Sequence, residues 1–229
     1  MKIMGGLAAV CVAAGVLTAC GGPAPAAEPA PSSTAPTTTS TAPSTTSSTP
    51  SPADRLPALV ERAAIPRDGM ADRGIAEPTD QRYASAVMPR PCAAEVEAES
   101  GYTPALFRVW DGEQGSVRQT VIGYSEATGA EVLSQLAAAS RGCTSWSDQG
   151  RQVRVVEGAA VNRPEGVEGF LGYCASVTEA EQLYWMCVAF VARGNLVSCV
   201  FAFRGDVPSG ALDDLHAILP RAVDRLVNA

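Results

Sequence analysis

The chain has 229 residues and a formal net charge of -7, with 17 Lys and Arg against 24 Asp and Glu and a single His. An acidic balance without a basic cluster argues against nucleic-acid binding. Lys2 is the only lysine, so no Schiff-base, general-base or phosphate-loop lysine is available to the rest of the chain.

Ile3 to Val16 is almost wholly Ala, Val, Leu, Ile and Gly. That run is too short to span a bilayer and has the length of the apolar region of a secretory signal. It closes on Leu17-Thr18-Ala19-Cys20, a lipobox. The expected outcome is removal of residues 1–19 and acylation of Cys20, palmitate included, which anchors the protein to a membrane by lipid on its extracytoplasmic face. No later run of about 18 apolar residues follows, so no transmembrane helix is predicted. Arginine-only basicity with abundant Ala, Pro and Gly has the mark of a GC-rich genome and points to actinobacteria.

Residues 20–52 form a second regime. From Gly21 to Pro52 the chain is Pro, Ala, Ser, Thr and Gly, with Glu28 the only charge. Nothing there can bury enough apolar area to offset ordering, so a disordered Pro/Ser/Thr-rich tether is predicted. The remainder, residues 53–229, suits one extracytoplasmic domain.

Within that domain Asp54 to Ala64 is a helical candidate with Leu56, Leu59 and Val60 on one side. Residues 66–91 read as an irregular ordered segment, and Cys92 to Glu99 as one or two helical turns. Ala105 to Trp110 and Ser116 to Tyr124 are strands joined through Asp111 to Gly115. On the second of them Val117, Gln119, Val121 and Gly123 share one face, and Arg118, Thr120 and Ile122 the other. Ser125 caps a helix from Glu126 to about Ser140, stopped by Gly142.

Gln152 to Val156 and Gly169 to Val177 are further strands. Leu183 to Ala192 and Leu196 to Phe203 flank the turn Arg193-Gly194-Asn195. Tyr184 to Val191 is apolar on both faces and belongs in the middle of a sheet. Ser209 opens a last helix to about Val227, which Pro220 should kink or split. The fold class that follows is α+β: a largely antiparallel sheet with helices packed on one face, stabilised by disulfides.

Five cysteines fall in the domain: Cys92, Cys143, Cys174, Cys187 and Cys199. In an exported protein they oxidise where geometry permits, so two disulfides and one free thiol are expected, and spacing alone leaves the pairing open. Their long spacings and the lone His216 do not form a metal site, so neither metal nor cofactor is expected.

Taken in order, these cysteines sit in a recognisable frame. Cys92 precedes the first strand. Gln119-Thr120-Val121-Ile122-Gly123-Tyr124 leads through a helix to Cys143. Cys187 follows Trp185-Met186 on a strand, and Gly194-Asn195 precedes the strand bearing Cys199. From roughly Ala84 onward the chain resembles the extracellular sensor domain of the mycobacterial serine/threonine kinase PknH and the sensor-like lipoproteins that share it. The resemblance implies disulfides Cys92–Cys143 and Cys187–Cys199, the second compatible with one predicted hairpin, and leaves Cys174 as the odd thiol. Trp146 follows Cys143, where that family often has a Trp before the cysteine. The resemblance also implies a ligand-binding or sensing module with a cleft between sheet and helices, and no catalysis.

The chemistry-bearing residues agree with a non-catalytic module. His216 lies in the last helix and has no Gly-x-Ser-x-Gly elbow to serve. Cys174 as a hydrolase nucleophile would need a base and a lowered pKa, and an apolar strand instead makes it a buried inert thiol. Glu95, Glu97 and Glu99 read as solvated surface, and Asp213 and Asp214 as partners of a helix dipole. Aromatic residues on or beside strands can line a mostly apolar pocket with polar tips, and Tyr124, Arg154, Tyr173 and Tyr184 are the pocket candidates. The expected partners are the membrane, through the anchor, and a small-molecule, lipid or cell-wall ligand. An envelope protein docked on a flat surface is the alternative partner, and a thiol hydrolase the alternative activity.

Overall fold

The structure is a computed structural model that describes residues 51–75, 78–113, 115–205 and 207–229. Cys20, the leader over 1–19 and the tether up to residue 50 lie outside the described residues. Among the described residues no helix is long and apolar enough to cross a membrane.

The first helix, α1 (Pro52–Ala63), starts earlier than periodicity predicts because Ser51 and Asp54 form a capping box. The Asp54 amide donates to Ser51 Oγ at 3.2 Å, and the Ser51 amide donates to the Asp54 carboxylate at 2.9 Å. Eight strands follow: β1 (Thr79–Tyr83), β2 (Ala105–Gly112), β3 (Gly115–Gly123), β4 (Ser145–Asp148), β5 (Arg151–Val155), β6 (Gly169–Glu179), β7 (Gln182–Arg193) and β8 (Leu196–Arg204). Helix α2 (Gly129–Ala139) lies between β3 and β4, and α3 (Pro208–Val227) closes the chain.

All strands join one antiparallel sheet in the order β1-β2-β3-β8-β7-β6-β5-β4. The strand with apolar residues on both faces, β7, is interior to it, as its composition requires. The α+β class is therefore the one expected.

The two faces carry different cores. On one, Leu106, Trp110, Val121, Ala189, Val200 and Ala202 pack beneath α1 and α3. On the other, Ile122, Val188, Phe190, Val197 and Cys199 pack beneath Val132, Leu133 and Leu136 of α2. Placing all helices on one face is thus corrected for α2, which the apolar outer residues of the central strands draw to the opposite side. Its first residue, Gly129, sits so close to the Leu196 carbonyl and to Ala192 that a Cβ there would collide with them.

Helix α3 runs unbroken through Pro220. Pro220 and His216 both lie on the exposed side, so the His216 carbonyl that loses its helical donor faces water. Cys92 to Glu99 contributes only a short 3-10 turn at Pro91–Ala93.

Cys92 and Cys143 are bonded. The second disulfide is Cys174–Cys187, and Cys199 is the free, buried thiol. This corrects the pairing Cys187–Cys199, and register gives the reason. The two-residue turn after Arg193 sets Arg193 opposite Leu196, so Cys187 faces Ala202 and Cys199 faces Phe190. Cys187 and Phe190 are an odd number of residues apart on β7, which puts Cys187 and Cys199 on opposite faces of the sheet. The turn after Glu179 sets Cys174 directly across from Cys187, with Cα atoms 4.0 Å apart.

Candidate functional site

Helix α2 covers only part of its face. Beyond its reach the strands expose a row of large side chains, bordered by the segment 87–91 and by the β4–β5 hairpin. Together they enclose a cleft of about 480 Å³, within the usual range for small-ligand sites. Of the chain's 3 Trp, 5 Tyr and 5 Phe, the cleft takes Phe107, Trp146, Tyr173, Tyr184, Phe201 and Phe203.

These rings come together because strand parity places them on one face. Tyr173 of β6, Phe201 and Phe203 of β8 and Tyr184 of β7 alternate with residues that face the α1–α3 core. Through-space contacts then link them in a train. Trp146 meets Tyr173 edge-on at 6.0 Å, and Tyr173 stacks near Phe190 at 6.4 Å. Phe190 meets Phe201 at 6.0 Å, Phe201 stacks on Phe203 at 6.0 Å, and Phe203 meets Tyr184 at 6.1 Å. Geometries of this kind fix ring positions beyond simple burial.

The tyrosine hydroxyls of the cleft stay protonated. Burial raises the pKa of Tyr173, and burial followed by the Glu179 carboxylate raises that of Tyr184. Each presents an apolar ring with a neutral polar tip.

The segment over the cleft is held by a carboxylate. Glu99 accepts from the Met88 amide at 2.7 Å, from Arg90 Nε at 2.9 Å and Nη2 at 2.5 Å, and from the Tyr124 hydroxyl at 3.1 Å. Its side chain is 1% exposed. Glu99 is therefore a buried strut and not part of a solvated acidic surface, whereas Glu95 and Glu97 are exposed. The Cys92–Cys143 disulfide ties the same segment to the strand side of the cleft just ahead of β4. Cys92 and Ala93 hold positive φ angles of 63° and 52°, a left-handed pair that L residues adopt only where surroundings enforce it.

Of the four pocket candidates, the structure brings Tyr173 and Tyr184 to the cleft and leaves two elsewhere. Tyr124 is fully buried in the α2 core, its hydroxyl on Glu99, and burial with that carboxylate raises its pKa. Arg154 is exposed on β5, on the side opposite its neighbour Val153, which does line the cleft. The sequence reading missed Phe107, Trp146, Phe201 and Phe203. The signal was present for the last two: alternate residues on a strand whose other face is committed to the core.

Among the described residues the cysteines and the histidine weighed as catalytic are not brought together. Cys174 is buried and bonded to Cys187, so it is no nucleophile in the oxidised protein. Cys199 is enclosed, and burial pushes its thiol pKa well up. His216 is exposed on α3, which packs on the opposite face of the sheet from Cys199. Asp214 is mostly buried and joins Arg73 and Arg204, the latter at 2.5 Å, so it is an ion-pair centre and more than a dipole partner. Among the described residues no three His, Cys, Asp or Glu side chains gather as metal ligands would.

Fold and site together define a class: an antiparallel α+β domain, closed on one face by two helices and carrying an aromatic cleft on the half-covered other. No family model matches the chain, and no curated protein matches it. Among solved structures it is similar to the crystal structure of the extracellular domain of PknH from Mycobacterium tuberculosis. The TM-score is 0.48 and the identity 14%, over 79% of this chain and 99% of that one.

Proposed function

We propose that this chain is a lipid-anchored, extracytoplasmic binding module that holds a ligand or envelope component in the aromatic cleft and catalyses nothing. The observation that carries the reading is the train of partly exposed rings along a recess of about 480 Å³. A folded domain gains more from covering such rings with its own chain than from leaving them in water. Val87 at the rim is 62% exposed, adding apolar surface where a ligand would enter. Two disulfides fit an oxidising, extracytoplasmic location. The lipobox at Cys20 supports attachment to the membrane by acylation, with the Pro/Ser/Thr-rich tether between anchor and domain.

The test is titration of the purified full chain with a neutral apolar dye such as Nile red, read by dye fluorescence. Saturable one-to-one binding is expected, weakened by Phe201→Ala and by Trp146→Ala and unchanged by Leu212→Ala on α3. Absence of saturable binding, or equal loss in all three variants, overturns the reading.

A further inference from the structure

Of the three arginines that line the cleft, Arg118 alone joins no ion pair among the described residues, although Asp111, Glu113 and Glu179 border a neighbouring recess with it. Arg118 lies on β3, on the face that looks into the cleft, and is a lining residue. Its guanidinium stacks over the Phe203 ring at 4.6 Å. Its Nε is buried with no hydrogen-bond partner among the described residues, and the side chain joins no ion pair there. The other arginines at the cleft are compensated: Arg90 by Glu99 and Arg151 by Asp148, both at 2.5 Å. A half-buried cation with an orphan donor is costly unless something supplies an acceptor. Stacking on Phe203 holds the guanidinium in place but accepts none of its hydrogen bonds.

The apolar track begins beside this cation. Arg118 pairs across the sheet with Phe201, and the lining then passes through β7 and β6 to Val153 on β5. Four strand intervals of roughly 4.8 Å give a track of about 19 Å from Arg118 to Val153. The protein as a whole carries -7, so its field does not gather free anions, and an anion reaching Arg118 needs an apolar body to hold it.

We infer that the cleft binds an anionic amphiphile, its carboxylate or phosphate on Arg118 and its apolar chain along the ring train towards Trp146. This rests on the cleft being the binding site and adds the chemistry of what it takes. The anion supplies the counter-charge that Arg118 lacks among the described residues, and the planar guanidinium suits the paired oxygens of either headgroup.

The experiment is calorimetric titration of the full chain with decanoate, decyl phosphate, decanol and inorganic phosphate, each below its aggregation limit. Both decyl anions should bind about tenfold or more tightly than decanol, the size of a charge-assisted hydrogen bond. Inorganic phosphate should show no saturable binding at millimolar concentration. Arg118→Met should bring the decyl anions down to the affinity of decanol while decanol binding persists, which itself reports a folded cleft.

If wild-type protein binds decanol as tightly as the anions, or if Arg118→Met keeps the preference, the inference fails while the cleft reading stands. If inorganic phosphate binds as well as decyl phosphate, the site is one for free anions and the amphiphile is wrong. If no decyl compound binds, the cleft reading fails with it.

Discussion

The two faces of this sheet are built from the same strands and differ in how they are finished. Beneath α1 and α3 no buried side-chain nitrogen or oxygen among the described residues lacks a hydrogen-bond partner. Arg108 is 6% exposed and grips Asp80 with two bonds at 2.7 and 2.8 Å while donating to the Ile65 carbonyl. Gln119, fully buried, accepts from the Ile65 amide at 2.8 Å and donates to Ser198 Oγ at 3.0 Å. On the opposite face α2 satisfies one end, and the other end keeps aromatic rings and Arg118 Nε unanswered. A face with complete polar pairing is a structural core, and one left incomplete next to a recess has the character of a site.

The largest expected effect comes from breaking the finished face. Asp80→Asn leaves Arg108 buried without its counter-charge and should cost about 3–5 kcal/mol in denaturant unfolding. The hydrogen bonds from Arg108, set against the cost of burial, hold the Asp80 carboxyl below its ordinary 3.8. A depressed folded-state pKa contributes fully above that ordinary value and is lost as pH falls through the lower folded one. Wild-type stability should therefore decline below about pH 4 more steeply than that of Asp80→Asn. Parallel acid limbs would show that the pair adds nothing.

Next come the disulfides, one on each side of the comparison. Cys174–Cys187 is buried in the finished core, and Cys92–Cys143 is part-exposed at the cleft. Mild reductant should open Cys92–Cys143 first, by mass-spectrometric thiol counting, with Cys174–Cys187 persisting until unfolding. Replacing either pair by Ala should cost about 2–4 kcal/mol. Of the two bridges, only loss of Cys92–Cys143 should weaken Nile red binding, because Cys174–Cys187 does not touch the segment at the cleft. Equal loss of dye binding in both variants would erase the distinction between the faces.

The finished face was the more legible of the two in the sequence. Apolar periodicity marks α1 and α3, and unbroken apolarity marks β7 as interior. Strands β1 and β4, Thr-Asp-Gln-Arg-Tyr and Ser-Trp-Ser-Asp, are edge strands largely exposed on both sides and carry no alternation to read. The disulfide pairing was within reach: a two-residue turn fixes register, and register forbids Cys187–Cys199. The cleft was half legible, since Tyr173 and Tyr184 follow from strand placement. The role of Glu99 was not, because its partners Met88, Arg90 and Tyr124 are gathered from a loop and a strand end by tertiary folding alone.

That strut supports the next test. Glu99→Gln keeps the shape but replaces a carboxylate oxygen with an amide nitrogen that cannot accept. It should cost about 1–3 kcal/mol, with dye affinity falling because residues 88–90 lose their tether. Unchanged affinity with lowered stability would show that this segment does not shape the cleft.

The smallest effect sharpens the comparison most. Tyr184 lies on the unfinished face, half-buried, its hydroxyl 3.4 Å from the exposed Glu179 carboxylate. So long and exposed a contact adds little stability, and Tyr184→Phe should shift unfolding by less than about 0.5 kcal/mol. Its ring contact with Phe203 is retained, so Nile red should bind unchanged, and a residue of the finished face would not tolerate loss of a polar partner so lightly. Should Tyr184→Phe instead destabilise the fold by more than about 1 kcal/mol, the hydroxyl is a structural partner. The face would then be more complete than its exposed rings imply.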